Sequence, residues 1–169
     1  MKKQQGFTLI ELVVVIIILG ILAVVAAPKF INLQGDARAS TLKGMQAALQ
    51  GANTLVHSKS LIAGTEKLSS AVTKPATAPT ADGVAINYGY VDATPEAIKA
   101  ALGADFTANG DWVVGNKIVA TSDKGASIDI AQKDAPGSTK LSSSTCKLTY
   151  TAPLKAGDQP DYVITATKC

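Results

Sequence analysis

The sequence predicts an α+β fold in which one long N-terminal α-helix packs on a small antiparallel β-sheet head. An apolar run at 7–27 and an amphipathic helical pattern at 28–60 predict the helix. The final third contains short segments rich in Val, Ile, Thr and Tyr, separated by Gly, Asp, Pro and Ser, which predict the sheet. We therefore assign 7–60 to the helix and 61–169 to the head.

The apolar run reads FTLIELVVVIIILGILAVVAA and carries a single charge, Glu11. In a helix its length is about 30 Å, which matches the hydrocarbon core of a bilayer. Lys2 and Lys3 precede the run and are expected to hold the N-terminus in the cytoplasm. The sequence therefore predicts a single membrane span with the rest of the chain outside.

Two other interpretations of this run are weaker. A secretory signal peptide has a shorter apolar region, and cleavage at the small residues Ala26 and Ala27 would leave Pro28 directly after the cut. A plain membrane anchor leaves Glu11 unexplained, although a carboxylate held in lipid is costly.

A specific motif stands at the start of the run. Residues 6–11 read Gly-Phe-Thr-Leu-Ile-Glu and follow the short basic leader MKKQQ. This pattern resembles the prepilin cleavage motif of type IV pilins, of the type IVa class. The resemblance implies that a prepilin peptidase cuts between Gly6 and Phe7 and that the new amine of Phe7 is methylated.

The same resemblance implies the organisation and the partners of the chain. Residues 1–6 would be the leader peptide, 7–27 the transmembrane and assembly half of the helix, and 28–60 its amphipathic half. The precursor would sit in the bacterial inner membrane with a cytoplasmic N-terminus. The inner-membrane pilus assembly machinery would then add it to an extracellular homopolymer that serves adhesion.

Glu11 lies one helical turn from the new amine of Phe7. In a polymer of packed helices a buried carboxylate needs a cationic partner, and the amine of a neighbouring subunit can supply one. Two such charges about 4 Å apart attract by roughly 4 kcal/mol at an effective dielectric near 20, and desolvation offsets much of this. We interpret Glu11 as a register key; the alternative is a charge that snorkels to the membrane interface.

Gly20 and Pro28 are weak points in the helix and match positions in pilin helices, which predicts a local kink. The alternative is that Gly20 tolerates close packing and Pro28 marks a helix start. After Pro28 apolar residues recur every three to five positions, and their face is expected to pack on the head. They are Phe30, Leu33, Ala37, Leu42, Met45, Leu49, Ala52 and Val56. His57, near the helix end, is expected at the surface or at a boundary.

The first part of the head is expected to be irregular. Its Ser, Thr, Ala and Pro content predicts an exposed loop at 64–83. A short helix of about eight residues follows, with Thr94 as its cap, Pro95 at its first position and Gly103 after its end. The NYGY segment and this helix resemble the mannose-sensitive haemagglutinin (MSHA) branch of pilins.

Strands are predicted at 112–121, 126–132, 147–151 and 161–168, joined as an antiparallel meander. The two cysteines, Cys146 and Cys169, follow a membrane-targeting segment, which favours a disulfide over two free thiols. Such a bond would close a loop of about 24 residues and contribute roughly 3 kcal/mol. It would tie the C-terminal loop to the sheet, as in the pilin plan.

The sequence contains no Walker loop, GxSxG, HExxH or paired CxxC motif, so no catalytic site, cofactor or metal is predicted. The net charge is +3 without a basic stripe, so nucleic-acid binding is not predicted. The competing functions are a type II secretion pseudopilin, a minor pilin, and a periplasmic enzyme or binding module on an uncleaved anchor. The cysteine pair and the longer head favour a pilin over a major pseudopilin.

Overall fold

A computed structural model of the protein describes residues 6–70, 80–107, 109–167 and 169. The chain divides into two compact units, Met1–Ala37 and Arg38–Cys169. A long N-terminal helix is followed by two small antiparallel sheets, which confirms the α+β prediction.

Helix α1 (Leu9–Ala63) has 55 residues and runs unbroken past Gly20 and through Pro28, so Pro28 is not a helix start. The predicted kink stays a prediction. Within the second unit the helix buries a regular stripe made of Leu42, Met45, Leu49 and Val56.

Part of the amphipathic prediction is wrong. Phe30 and Leu33 share the helical spacing of the buried stripe, but their side chains are 68% and 62% exposed. Both belong to the first unit, whereas the buried core begins at Leu42 in the second. The period of an apolar stripe tells which face of a helix is apolar, but not how far along that face the covering domain extends.

The head begins with a three-stranded antiparallel sheet, β1 (Thr80–Ala81), β2 (Val84–Asn87) and β3 (Tyr90–Val91). Strand β1 lies inside the segment predicted to be an irregular loop, so that prediction is wrong at 80–81; residues 71–79 of it lie outside the described part of the chain. A two-residue strand is too short to show the alternation of apolar and polar residues that predicts a strand, and its pairing depends on the neighbouring chain.

Helix α2 (Pro95–Leu102) confirms the prediction in every detail. The Thr94 side chain accepts a hydrogen bond from the backbone N–H of Ala97 at 3.3 Å, and Pro95 occupies the first turn. Gly103 ends the helix in the left-handed region at φ 59°, where its N–H donates to the carbonyl oxygen of Lys99.

The second sheet is the predicted antiparallel meander, in the order β4-β5-β6-β7. Its strands are β4 (Trp112–Val114), β5 (Ser127–Gln132), β6 (Cys146–Thr151) and β7 (Asp161–Ala166). The prediction of a strand over 112–121 is wrong beyond Val114.

Beyond Val114 the backbone stays beside β5 without a regular ladder, and the N–H of Gly115 donates to the carbonyl oxygen of Asp129 at 2.8 Å. The Nζ atom of Lys117 lies 3.0 Å from both carboxylate oxygens of the buried Asp92, which follows β3. Ile118 then makes only an isolated bridge to Ser127. The last strand also stops early, at Ala166, so Cys169 follows β7 and does not end it.

The core of the head joins α1, α2 and both sheets. Its fully buried large side chains include Leu42, Leu49, Ile86, Ile98, Ile128, Ile130, Leu148 and Tyr150. The hydroxyl of Tyr150 donates to the carbonyl oxygen of Val91 at 2.6 Å, and burial raises the pKa of Tyr150 well above its usual value. The buried phenol is thus neutral and its polar atom is satisfied.

Candidate processing and assembly segment

The start of α1 is fully accessible. Residues 6–8 are not helical and the helix begins at Leu9, so the Gly6–Phe7 peptide bond lies outside the helical hydrogen-bond ladder. The Phe7 side chain is 91% exposed. Residues 1–5 of the predicted leader lie outside the described residues.

Glu11 has a local partner that the sequence analysis missed. Its Oε2 atom accepts hydrogen bonds from the backbone N–H and from the hydroxyl of Thr8, both at 2.8 Å. The backbone N–H of Glu11 lies 3.4 Å from the Thr8 hydroxyl oxygen. These reciprocal contacts form a capping box, with Thr8 at the N-cap and Glu11 at the third helical position. The T-x-x-E spacing ahead of an apolar run was the signal that could have found it.

The apolar run that follows is exposed throughout. Every large apolar side chain from Phe7 to Val25 keeps 43% or more of its surface open. Helix α1 is the one described helix that is long and apolar enough to cross a membrane, judged by length and composition. A signal sequence would pass the same test, so the motif ahead of the run carries more information than the run itself.

The structure places the predicted site residues in three separate groups. Gly6, Phe7 and Glu11 lie together at the beginning of α1, and Gly20 and Pro28 lie inside that helix. The cysteines belong to the second unit.

The structure forms the predicted disulfide between Cys146 and Cys169, with a Cα–Cα separation of 4.8 Å. Cys146 is the first residue of β6 and is buried. The bond fastens the segment after β7 to the neighbouring strand. The described residues include no group of three His, Cys, Asp or Glu side chains that could hold a metal ion.

Comparison with known families identifies one motif in this chain. The prokaryotic N-terminal methylation motif matches residues 1–27. The matched segment contains the Gly6–Phe7 bond, Glu11 and the whole apolar run.

Three characterised proteins are similar over about 50 residues each. The type IV narrow pilus major component PilA5 of Thermus thermophilus is 42% identical over 50 residues, which is 30% of this chain and 43% of that protein. The type IV major pilin PilA of Myxococcus xanthus is 47% identical over 47 residues, 28% of this chain and 21% of that protein. The type II secretion system core protein G of Pseudomonas aeruginosa is 41% identical over 51 residues, 30% of this chain and 36% of that protein.

The similarity thus covers less than half of each relative's length. No solved structure matches the chain. The chain carries the prokaryotic N-terminal methylation motif, and two of the similar proteins are pilins by name while the third is a secretion-system core protein. None of the three is named as an enzyme.

Proposed function

We propose that this chain is the precursor of a type IV pilus subunit. The observation that carries the proposal is an exposed apolar helix of bilayer length that lies within a matched N-terminal methylation motif. An apolar surface of this size is stable only in lipid or against other apolar surfaces. A subunit that passes from the membrane into a polymer of packed helices satisfies this requirement at both stages.

In this proposal a prepilin peptidase removes residues 1–6 and the amine of Phe7 is methylated. Residues 7–27 anchor the subunit in the inner membrane until assembly, with its N-terminus in the cytoplasm and its head outside. The assembly machinery of the inner membrane then inserts it into an extracellular homopolymer. The disulfide of the head suits the oxidising side of that membrane.

Glu11 has two roles in the proposed pathway. Before and after assembly it caps α1 through Thr8, which stabilises the first turn. In the polymer the amine of Phe7 from a neighbouring subunit neutralises it, so that only one helix register leaves no buried charge alone. Gly20 and Pro28 allow α1 to adjust as it leaves the membrane.

The subunit is proposed to be the major pilin of an adhesive filament of the MSHA type. The NYGY turn followed by the capped helix α2 supports this finer assignment. A minor pilin would share these features and differ in copy number. The abundance of this chain in sheared filaments, relative to other subunits, separates the two.

The test of the proposal is intact-mass analysis of sheared surface filaments. The expected mass is that of residues 7–169 with one added methyl group and one disulfide. A mass that includes MKKQQG, or a start at Pro28, would overturn the proposed maturation. Replacing Gly6 with a bulky residue is expected to leave uncut precursor in the membrane fraction.

The second candidate is a type II secretion pseudopilin, which the similarity to core protein G favours. The C-terminal disulfide argues for a pilin. Deleting the gene distinguishes the two: loss of surface filaments with normal protein secretion supports the pilin, and the reverse pattern supports the pseudopilin.

A further inference from the structure

A groove in the head, remote in sequence from the assembly segment, has no role in the proposed function. It consists of two adjoining cavities of about 360 Å³ and 380 Å³ that share His57, Tyr90 and Gln159. Tyr88 and Glu66 line the first cavity and Tyr162 lines the second. We call it the aromatic groove. Three of the four tyrosines of the chain line it.

The walls of the aromatic groove are held in place by contacts behind them. The rings of His57 and Tyr90 stack with centroids 4.3 Å apart and planes within 6°. The hydroxyl oxygen of Tyr162 accepts a hydrogen bond from the Nδ2 atom of Asn53 at 2.7 Å. The Oδ1 atom of Asn53 accepts another from the backbone N–H of Val91 at 2.9 Å. A ligand would therefore meet a rigid surface, which lowers the entropy lost on binding.

Tyr88 reaches the groove from a strained position. The two-residue turn between β2 and β3 has positive φ angles at Tyr88 (50°) and Gly89 (83°), where Asn-Gly is the usual pair. A tyrosine in the left-handed region costs roughly 1–2 kcal/mol. Gly89 is required, because a Cβ there would lie 2.8 Å from the Nδ1 atom of His57. Strain held by surrounding contacts is typical of functional positions.

Glu66 supplies the polar feature of the groove. Its Oε2 atom is buried, and no donor among the described residues reaches it. Among the described residues the one cation paired with this carboxylate is the ammonium of Lys67, 4.0 Å from the other carboxylate oxygen, and that lysine side chain is 81% exposed. Asp158 lines the same cavity. A largely buried carboxylate with one oxygen lacking a donor is short of compensating charge, and a cationic donor at its accessible side is the strongest partner for it.

We propose that the aromatic groove binds a primary alkylammonium group. The ammonium would pair with the accessible side of the Glu66 carboxylate, whose side chain is 24% exposed, and its positive charge would lie against the electron-rich tyrosine faces. The alkyl chain would lie along the stacked rings of His57 and Tyr90. A free alkylamine and the side chain of a lysine on another polypeptide present this same chemistry.

The test is an NMR titration of the full-length chain in detergent micelles at pH 7, read on the tyrosine ring signals. The probe is n-butylammonium, and saturable shifts of the Tyr88 and Tyr90 signals are expected. Tetramethylammonium keeps the charge but has no N–H, so it is expected to bind more weakly. A second titration with Nα-acetyl-lysine amide shows where the alkylammonium group comes from. Tighter binding of the lysine compound than of n-butylammonium indicates a lysine on another polypeptide, and equal binding indicates a free alkylamine.

Two variants assign the binding to named groups. Glu66→Gln is expected to weaken n-butylammonium binding about tenfold, because a charged acceptor becomes a neutral one. Tyr88→Asn puts the favoured residue into the turn and removes the ring, so it is expected to weaken binding about threefold while it keeps the fold. Asp123→Asn, which removes an exposed carboxylate outside the groove, is the matched control and is expected to change nothing.

Unsaturable shifts, unchanged binding in Glu66→Gln, or a preference for uncharged glucose over n-butylammonium would each overturn the proposal. Tyrosine signal dispersion shows in every sample that the head is folded. Because the titration reads the unassembled subunit, its result is independent of whether the chain forms filaments.

Discussion

Three substitutions at the start of α1 separate the charge of Glu11 from its capping role. Glu11→Ala removes both the charge and the capping box. Glu11→Gln removes the charge, but glutamine at this position also completes a capping box. Thr8→Ala removes the cap hydroxyl, which donates to Glu11 at 2.8 Å, and leaves the carboxylate.

The two roles differ in size and in where they act. Loss of an N-cap costs about 1 kcal/mol. The cap is present both in the membrane and in the proposed filament, so its loss largely cancels in the assembly equilibrium. Leaving one member of a buried ion pair alone costs about 3–5 kcal/mol, on the order of a hundredfold or more in subunit addition. We therefore expect few or no filaments from either Glu11 variant and a near-normal yield from Thr8→Ala.

The assay compares membrane-bound subunit with sheared surface filament, with intact mass confirming that each variant is cut after Gly6. Both Glu11 variants are expected in the membrane in at least wild-type amounts, because neutralising Glu11 lowers the cost of staying in lipid. Thr8→Ala is expected in near-wild-type amounts, because Glu11 keeps the hydrogen bond from the backbone N–H of residue 8. A normal filament yield from Glu11→Gln would refute the register role. A defect in Thr8→Ala as severe as in Glu11→Ala would assign the function to the cap.

Three further predictions concern the head, each measured by unfolding the full chain in detergent. Cys146→Ser is expected to lower the free energy of unfolding by about 3 kcal/mol, with no free-thiol labelling of the unreduced wild type as the control. Gly51→Ala is expected to raise it by about 0.5–1 kcal/mol, because a Cβ at this exposed helical position has no atom within 4 Å. Gly125→Ala is the contrasting variant and is expected to be strongly destabilising, since its Cβ would overlap the carbonyl oxygen of Ala152. Burial raises the pKa of Tyr162 from its ordinary 10.0 to about 12. The unfolded chain therefore loses this proton at a lower pH than the folded chain, so the free energy of unfolding keeps its full value below pH 10 and falls as pH rises toward 12. Tyr162→Phe is expected to make this fall less steep.

Three outcomes would contradict this reasoning in turn. The first is labelling of either cysteine in unreduced protein. The second is a Gly51→Ala variant less stable than wild type, which would mean that the glycine is needed within the folded head. The third is a wild-type unfolding curve that does not change between pH 9 and pH 12, which would show that Tyr162 titrates alike in the folded and unfolded chains.

The features that local chemistry determines could be predicted from the sequence. Thr94, Pro95 and Gly103 each act within one turn of their own backbone, and both ends of α2 are correct. Strands β5 and β6 were found because β-branched and aromatic residues are dense there and turn residues flank them. The pairing of the cysteines followed from their number.

Features that depend on distant parts of the chain could not be predicted in this way. The exposure of Phe30 is not contained in the helical spacing that it shares with the buried Leu42. Lys117 pairs with the buried Asp92, and no local pattern around Lys117 predicts this contact between different parts of the head. The Thr8–Glu11 capping box is different, because the T-x-x-E spacing is a local pattern that predicts it. A charge in an apolar run suggests a partner in another subunit, yet in the structure Glu11 binds the hydroxyl three residues earlier.

The position of the disulfide has a consequence for how the head can open. Strand β7 is an edge strand, held on one side by six paired positions with β6, from Cys146↔Ala166 to Thr151↔Asp161. Edge strands ordinarily peel away one residue at a time from a free end. Here the 152–160 connection closes one end of the ladder and the Cys146–Cys169 bond closes the other. Neither end of the ladder is therefore a free end, and the six paired positions are expected to open together rather than one by one.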